Sequence, residues 1–143
     1  MKLKELRSGE LAKAAAVNLE TIRFYERQNL LPKPPRTAAG YRVFPAEAVQ
    51  RVRFIRRAQT LGFSLREIKE LLALSVARGT SCETVRERAE KKVGDIEQKI
   101  AALEAMRKVL RKLADSCRGR GPLTKCPILE CLGSGKEMSG DVY

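Results

Sequence analysis

With 143 residues, 43% of them hydrophobic, 5% aromatic and no Trp, the chain has room for one small Ala/Leu/Ile/Val core plus an oligomerisation element. Its 29 Lys and Arg against 17 Asp and Glu leave a net charge of +12, which points to a polyanionic partner such as nucleic acid. A thiol enzyme is disfavoured because no His is present to act as a base, and no apolar run approaches the ~20 residues of a membrane span.

The charge is uneven. Residues 1–75 hold 15 basic and 7 acidic side chains (+8), and residues 76–143 hold 14 and 10 (+4), which locates the expected nucleic-acid contact in the front half. Met1 to Leu6 lacks the apolar core of a secretory signal, so a cytoplasmic location is expected. Thiols stay reduced there, and four cysteines then suggest metal or redox chemistry rather than a disulfide scaffold.

In chain order, Ser8 is the expected N-cap of a first helix carrying Leu11, Ala14 and Ala15 on one face. Ala16-Val17-Asn18 reads as a turn, with Asn18 capping a second helix through Ile22, Phe24 and Tyr25 that ends before Pro32. Two short helices joined by a three-residue turn are a helix-turn-helix signature. The prolines after Leu31, then Gly40 and the alternating Tyr41-Arg42-Val43-Phe44, read as a small hairpin or wing. Ala46 to Leu61 returns to the 3.6-residue period through Val49, Val52, Ile55 and Ala58, and Gly62 closes it. Ser64-Leu65-Arg66-Glu67 is a capping-box pattern opening a fourth helix through Ile68, Leu71 and Leu72.

After a connector at 76–81, the longest periodic segment runs over 82–115. Val93, Ile100, Arg107 and Ala114 share one heptad position, and Ala89, Ile96, Leu103 and Leu110 share the other. Only Arg107 interrupts the stripe. A helix about 50 Å long finds no other segment long enough to cover it, so a second copy of the chain is expected to do so. Residues 116–132 form a Gly/Pro loop and a short helix with Pro127 in its first turn, and 133–143 have no period and read as a flexible tail.

The stretch Glu10-Leu11-Ala12-Lys13, Thr21-Ile22-Arg23-Phe24-Tyr25-Glu26, Leu30-Leu31-Pro32, Tyr41-Arg42, Arg53-Phe54-Ile55 and Leu61-Gly62-Phe63-Ser64-Leu65 resembles the MerR-family DNA-binding domain along nearly all of residues 8–75. The resemblance implies an all-α fold: a winged helix-turn-helix DNA-binding domain over 1–75, a long antiparallel coiled-coil dimerisation helix, and a C-terminal metal-binding loop. Thr21, Arg23 and Tyr25 are then expected to project from the recognition helix toward the major groove and its phosphates, while Ile22 and Phe24 pack inward. Arg36, Tyr41 and Arg42 on the wing are expected to grip the backbone, with Arg53, Arg56 and Arg57 adding phosphate contacts. Ala16 departs from the Gly common in the family's turn. Alanine tolerates a left-handed turn poorly, so a slightly altered turn is expected.

Cys82, Cys117 and Cys126 are separated by 35 and 9 residues, which puts Cys82 and Cys117 at opposite ends of a rod. They cannot share an ion within one chain. In an antiparallel homodimer, Cys82 of one copy lies beside Cys117 and Cys126 of the other, making two sites. Three thiolates suit a soft ion in trigonal geometry, and Arg118, Arg120 and Lys125 bring positive charge to them. The set resembles the ligand pattern of the family's mercury-responsive branch, and so does the Cys126-Pro127 pair. Hg(II) is therefore the expected inducer, with Pb(II), Cd(II) or Zn(II) as alternatives. Cys131 lies outside the three-cysteine pattern and is expected to be a non-ligand.

The resemblance also implies binding to double-stranded promoter DNA between elements spaced too far apart for RNA polymerase, repression without metal, and activation of a resistance operon once metal untwists the duplex. A metal buffer using the same thiols would not need a helix-turn-helix and wing. A drug-sensing relative would need a ligand domain, for which about 30 residues after the long helix are too few.

Overall fold

The computed structural model describes residues 5–79 and 81–134. Two compact units, 1–87 and 88–143, divide the chain. The elements in order are β1 (Leu6–Arg7), α1 (Ser8–Ala14), α2 (Leu19–Arg27), β2 (Val43–Phe44), α3 (Ala48–Thr60), α4 (Leu65–Val76), α5 (Cys82–Ser116), a 3₁₀ turn at Leu123–Lys125 and α6 (Pro127–Gly133). The fold is mostly helical, as expected. The tail assigned to 133–143 lies outside the described residues from 135 onward.

The core of the first unit is built from one face of each helix. Leu11, Ile22, Tyr25, Leu30, Leu31, Phe44, Val52, Ile55 and Ile68 are all buried, with half-buried Phe24, Val49 and Leu72 packed around them. Spacings of three and four residues (Val52, Ile55; Ile22, Tyr25) put these side chains on single helix stripes.

Local chemistry sets the helix ends. Asn18 Oδ1 accepts from the Thr21 N–H at 2.8 Å and opens α2. Ser64 and Glu67 form the reciprocal capping box at α4, with bonds of 3.2 and 2.8 Å. At α1 the cap is Arg7 rather than Ser8, and Glu10 accepts from the Arg7 N–H at 3.2 Å. Arg7 is extended because it belongs to β1, so the helix starts one residue earlier than the hydroxyl of Ser8 suggested.

Three helices end in the same double-bonded turn. In α1, Val17 N–H reaches Ala12 C=O and Ala16 N–H reaches Lys13 C=O; the equivalent pairs are Leu30–Tyr25 and Asn29–Glu26 after α2, and Phe63–Ala58 and Gly62–Gln59 after α3. The motif demands a left-handed residue, supplied here by Ala16 (φ 57°), Asn29 (φ 59°) and Gly62 (φ 91°). The turn at Ala16 therefore keeps its left-handed shape despite the alanine. Tertiary packing of α1 on α2 outweighs a local steric cost of about 1 kcal/mol.

The wing is larger than the Tyr41–Phe44 run suggested. Arg36 bridges to Arg42, and Thr37 N–H donates to Tyr41 C=O at 2.7 Å, giving a hairpin. β2 then pairs antiparallel with β1, Leu6 opposite Phe44 and Arg7 opposite Val43. A two-residue strand at the N-terminus carries no periodic signal, so this partner was illegible in the sequence.

α5 is a continuous helix, and most of its large apolar side chains between Val93 and Leu110 face solvent. Leu103 is 63% and Leu110 61% exposed, and Val93, Ile96, Ile100 and Met106 are exposed with them. α6 starts with Pro127 at its first helical position, as its missing N–H favours. No helix among the described residues is long and apolar enough to cross a membrane.

Candidate functional site

α2 and the wing together build a basic cleft on the first unit. It measures about 410 Å³ and is lined by Ser8, Arg23, Glu26, Arg27, Arg36, Gly40, Tyr41 and Arg42. Four arginines and three other polar side chains converge there because Arg23 and Arg27, four residues apart, share one face of α2, and the hairpin carries Arg36 and Arg42 beside it. The cleft is held open by specific contacts. Arg42 pairs with Glu26 at 3.2 Å, Arg27 with Glu20 at 3.0 Å, and the Arg7 guanidinium lies 4.3 Å above the Tyr41 ring. Glu26 is buried, so its pairing with Arg42 fixes the wing against α2.

The expected DNA-contacting residues fall in distinct settings. Arg23, Arg36, Tyr41 and Arg42 come together in the cleft. Thr21 is half-buried, and its hydroxyl donates to Asn18 Oδ1 at 2.8 Å, so its single proton serves the helix cap. Arg53 is exposed on α3 and donates to Ala14 C=O at 3.0 Å, closing an orphan carbonyl at the end of α1. Arg56 and Arg57 are exposed on α3.

Tyr25 differs from the expectation. It is only 1% exposed, and its hydroxyl donates to Gln59 Oε1 at 2.6 Å. Burial raises its phenol above the usual value, and nearby Arg56 partly offsets this. The cause is helical phase: Ile22 and Tyr25 are three residues apart and share the core-facing stripe, while Arg23 and Arg27 face away. Tyr25 supports the recognition helix from beneath. Glu26, Arg27 and Ser8 also line the cleft, a role the sequence reading did not assign to them. The four-residue spacing of Arg27 from Arg23 was the signal available.

Cys82 is the first residue of α5 and exposed; Cys117 follows the last residue of α5 and is half-buried. Gly119, in the left-handed region at φ 70°, donates its N–H to Cys117 Sγ at 3.4 Å. Cys126 caps α6 and Cys131 lies within it, both half-buried. All four are free thiols. Among the described residues, one chain alone gathers no group of three metal-binding side chains.

Residues 6–75 match the model described as MerR HTH family regulatory protein, and residues 49–113 the one described as MerR, DNA binding. The chain is 44% identical over 138 residues to the mercuric resistance operon regulatory protein of Serratia marcescens, covering 96% of this chain and 94% of that one. The chain belongs to the MerR family. The Bacillus cereus mercuric resistance operon regulatory protein is 40% identical over 128 residues, covering 90% and 97%. The crystal structure of the regulator PbrR691 from Ralstonia metallidurans CH34 in complex with lead(II) superposes with a TM-score of 0.80 at 34% identity, covering 90% of this chain and 99% of that one. As a MerR-family protein the chain is a DNA-binding transcription regulator and not an enzyme.

Proposed function

We propose that this MerR-family regulator is metal-responsive and controls a mercury-resistance operon, with Hg(II) as inducer. It acts as an antiparallel homodimer on double-stranded promoter DNA in the cytoplasm. Cys82 of one protomer and Cys117 and Cys126 of the other hold the ion. The observation that carries this reading is the placement of the thiols: one at the head of a 35-residue helix and two flanking the loop beyond its end. At about 1.5 Å per residue the helix separates its ends by about 52 Å, so only a second copy running the other way brings the three sulfurs together. Three thiolates without a His suit a soft ion with few ligands. Relatives named for mercuric resistance support Hg(II), and the lead-bound structural relative keeps Pb(II) as the alternative, with Cd(II) and Zn(II) behind it.

In this mechanism the basic cleft of each protomer engages one half of an inverted repeat through Arg23, Arg36, Tyr41 and Arg42, with Thr21 and Arg53 flanking. Cys131 is a non-ligand. Without metal the dimer holds promoter elements out of phase for RNA polymerase; metal favours a second arrangement of the reading heads that untwists the duplex. The ion can shift this equilibrium only by its difference in affinity for the two states.

Competition titration of the reduced protein with Hg(II), Pb(II), Cd(II) and Zn(II), following thiolate-to-metal absorbance and stoichiometry, tests the reading. One Hg(II) per protomer, two per dimer, bound more tightly than the other ions, is expected. Cys126→Ser is expected to abolish induction and leave operator binding intact. Loss of both activities would show that the cysteine is structural.

A further inference from the structure

Opposite its buried stripe of Ile22, Tyr25 and Glu26, α2 turns four exposed side chains outward: Leu19, Glu20, Arg23 and Arg27. The two arginines suit a phosphate-rich partner. Glu20, in the first turn of the helix, is the one acid among the four. A carboxylate that approaches DNA is repelled by the phosphates on both sides of the groove, so it weakens binding unless a donor on the DNA meets it.

Within the chain, Glu20 is only half engaged. Arg27 Nη2 lies 3.0 Å from Glu20 Oε1, and among the described residues no other hydrogen bond or ion pair reaches this carboxylate. Oε2 is left as an open acceptor. The two side chains are 58% and 66% exposed, so the pair adds little to the stability of α2 and does not by itself account for an acid on this face. Arg27, two turns along the same face, holds one oxygen and offsets part of the phosphate repulsion.

In a helix-turn-helix the first residues of the second helix meet base edges in the major groove. Exocyclic amines there are found only on cytosine N4 and adenine N6; guanine presents two acceptors, and thymine an acceptor and a methyl group. A carboxylate can only accept, so guanine and thymine repel it. Adenine sets its N7 lone pair beside the N6 amine, which also repels a second carboxylate lone pair. Cytosine has no acceptor next to its amine on that edge. We propose that Glu20 is a specificity-determining residue of the recognition helix, accepting a hydrogen bond from the N4 amine of one cytosine in each operator half-site while Arg27 holds its other oxygen. The proposal rests on the operator-bound dimer proposed above and names a base that it reads.

Selection of binding sites from a pool of random duplexes tests this, with the full-length, reduced, metal-free protein and its Glu20→Ala and Glu20→Gln variants. The native chain is expected to enrich an inverted repeat with a cytosine at one position of each half-site. Exchanging that cytosine for guanine in a fixed duplex is expected to cost roughly tenfold in affinity per half-site. Glu20→Ala is expected to lose the preference at that position alone and to bind random-sequence DNA more tightly, since a negative charge has left the interface. A merely structural role would not produce that gain. Glu20→Gln is expected to move the preference from cytosine to adenine, whose N6 and N7 match a carboxamide. An enriched repeat whose base preferences are the same in Glu20→Ala as in the native chain overturns the role of Glu20 and leaves the operator reading standing. So does a Glu20→Ala variant that loses preference at every position and binds random DNA more weakly. If the native chain enriches no repeat at all, both readings fall.

Discussion

Ala16 holds a left-handed backbone that the turn between α1 and α2 needs and that a Cβ resists. Glycine adopts that conformation without steric cost but loses more entropy on folding, so the net gain is smaller than the strain. Ala16→Gly is expected to stabilise the first unit by about 0.5 kcal/mol, read as a higher denaturation midpoint at unchanged slope. Tyr25 poses the opposite question, because its hydroxyl could belong to DNA or to the core. Its burial and its bond to Gln59 assign it to the core. Tyr25→Phe is therefore expected to cost about 1 kcal/mol of stability while leaving operator affinity within twofold; a large loss of affinity at normal stability would reassign the residue to DNA. The raised phenol also has a sign. The folded state holds this proton more tightly than the unfolded chain, so the contribution is intact below pH 10 and declines as pH rises through the raised value. Denaturation midpoints between pH 9 and 11 are expected to fall more steeply for the native chain than for Tyr25→Phe.

At the scale of elements, α2 and the wing act together because Glu26 on α2 and Arg42 on the wing are paired at 3.2 Å. The consequence differs between neighbouring arginines. Arg23 has no such duty, and Arg23→Ala is expected to weaken operator binding, reduce the slope of log K against log salt by about 1, and leave metal stoichiometry unchanged. An unchanged slope would remove Arg23 from the interface. Arg42→Ala also strands a buried carboxylate, so it is expected to lower stability by about 1–3 kcal/mol in addition to weakening DNA binding. Comparing thermal midpoints of the two variants separates the contact from the scaffold.

For the whole molecule, α5 presents an apolar stripe that the chain by itself leaves wet, and the thiols lie at its two ends. Dimerisation, cysteine placement and metal response are then one property under the proposed reading. Since the ion binds groups from both copies, Hg(II) is expected to raise dimer stability, by about 2.7 kcal/mol for each occupied site at a free concentration one hundred times its Kd. Dilution experiments with and without metal measure this directly, and equal dissociation in both conditions would place the thiols within one chain.

Much of this was written in short-range pattern. The 3.6-residue stripes of α3 and α4, the Ser64–Glu67 capping box, the Asn18 cap, Pro127 at the start of α6 and the long heptad run of α5 each depend on residues three or four apart, which sequence spacing displays. What needed tertiary structure depends on residues far apart in the chain. Leu6–Arg7 became a strand only through Val43–Phe44, and Arg53 became a cap for α1 across 39 positions. Helical phase turns Tyr25 inward, but only the packing of α3 brings Gln59 to its hydroxyl, while Ala16 stayed left-handed because two packed helices demanded the turn. Local spacing determines which face of a helix is apolar; only the packed chain decides which polar group at the boundary of that face meets solvent and which is sealed beneath it.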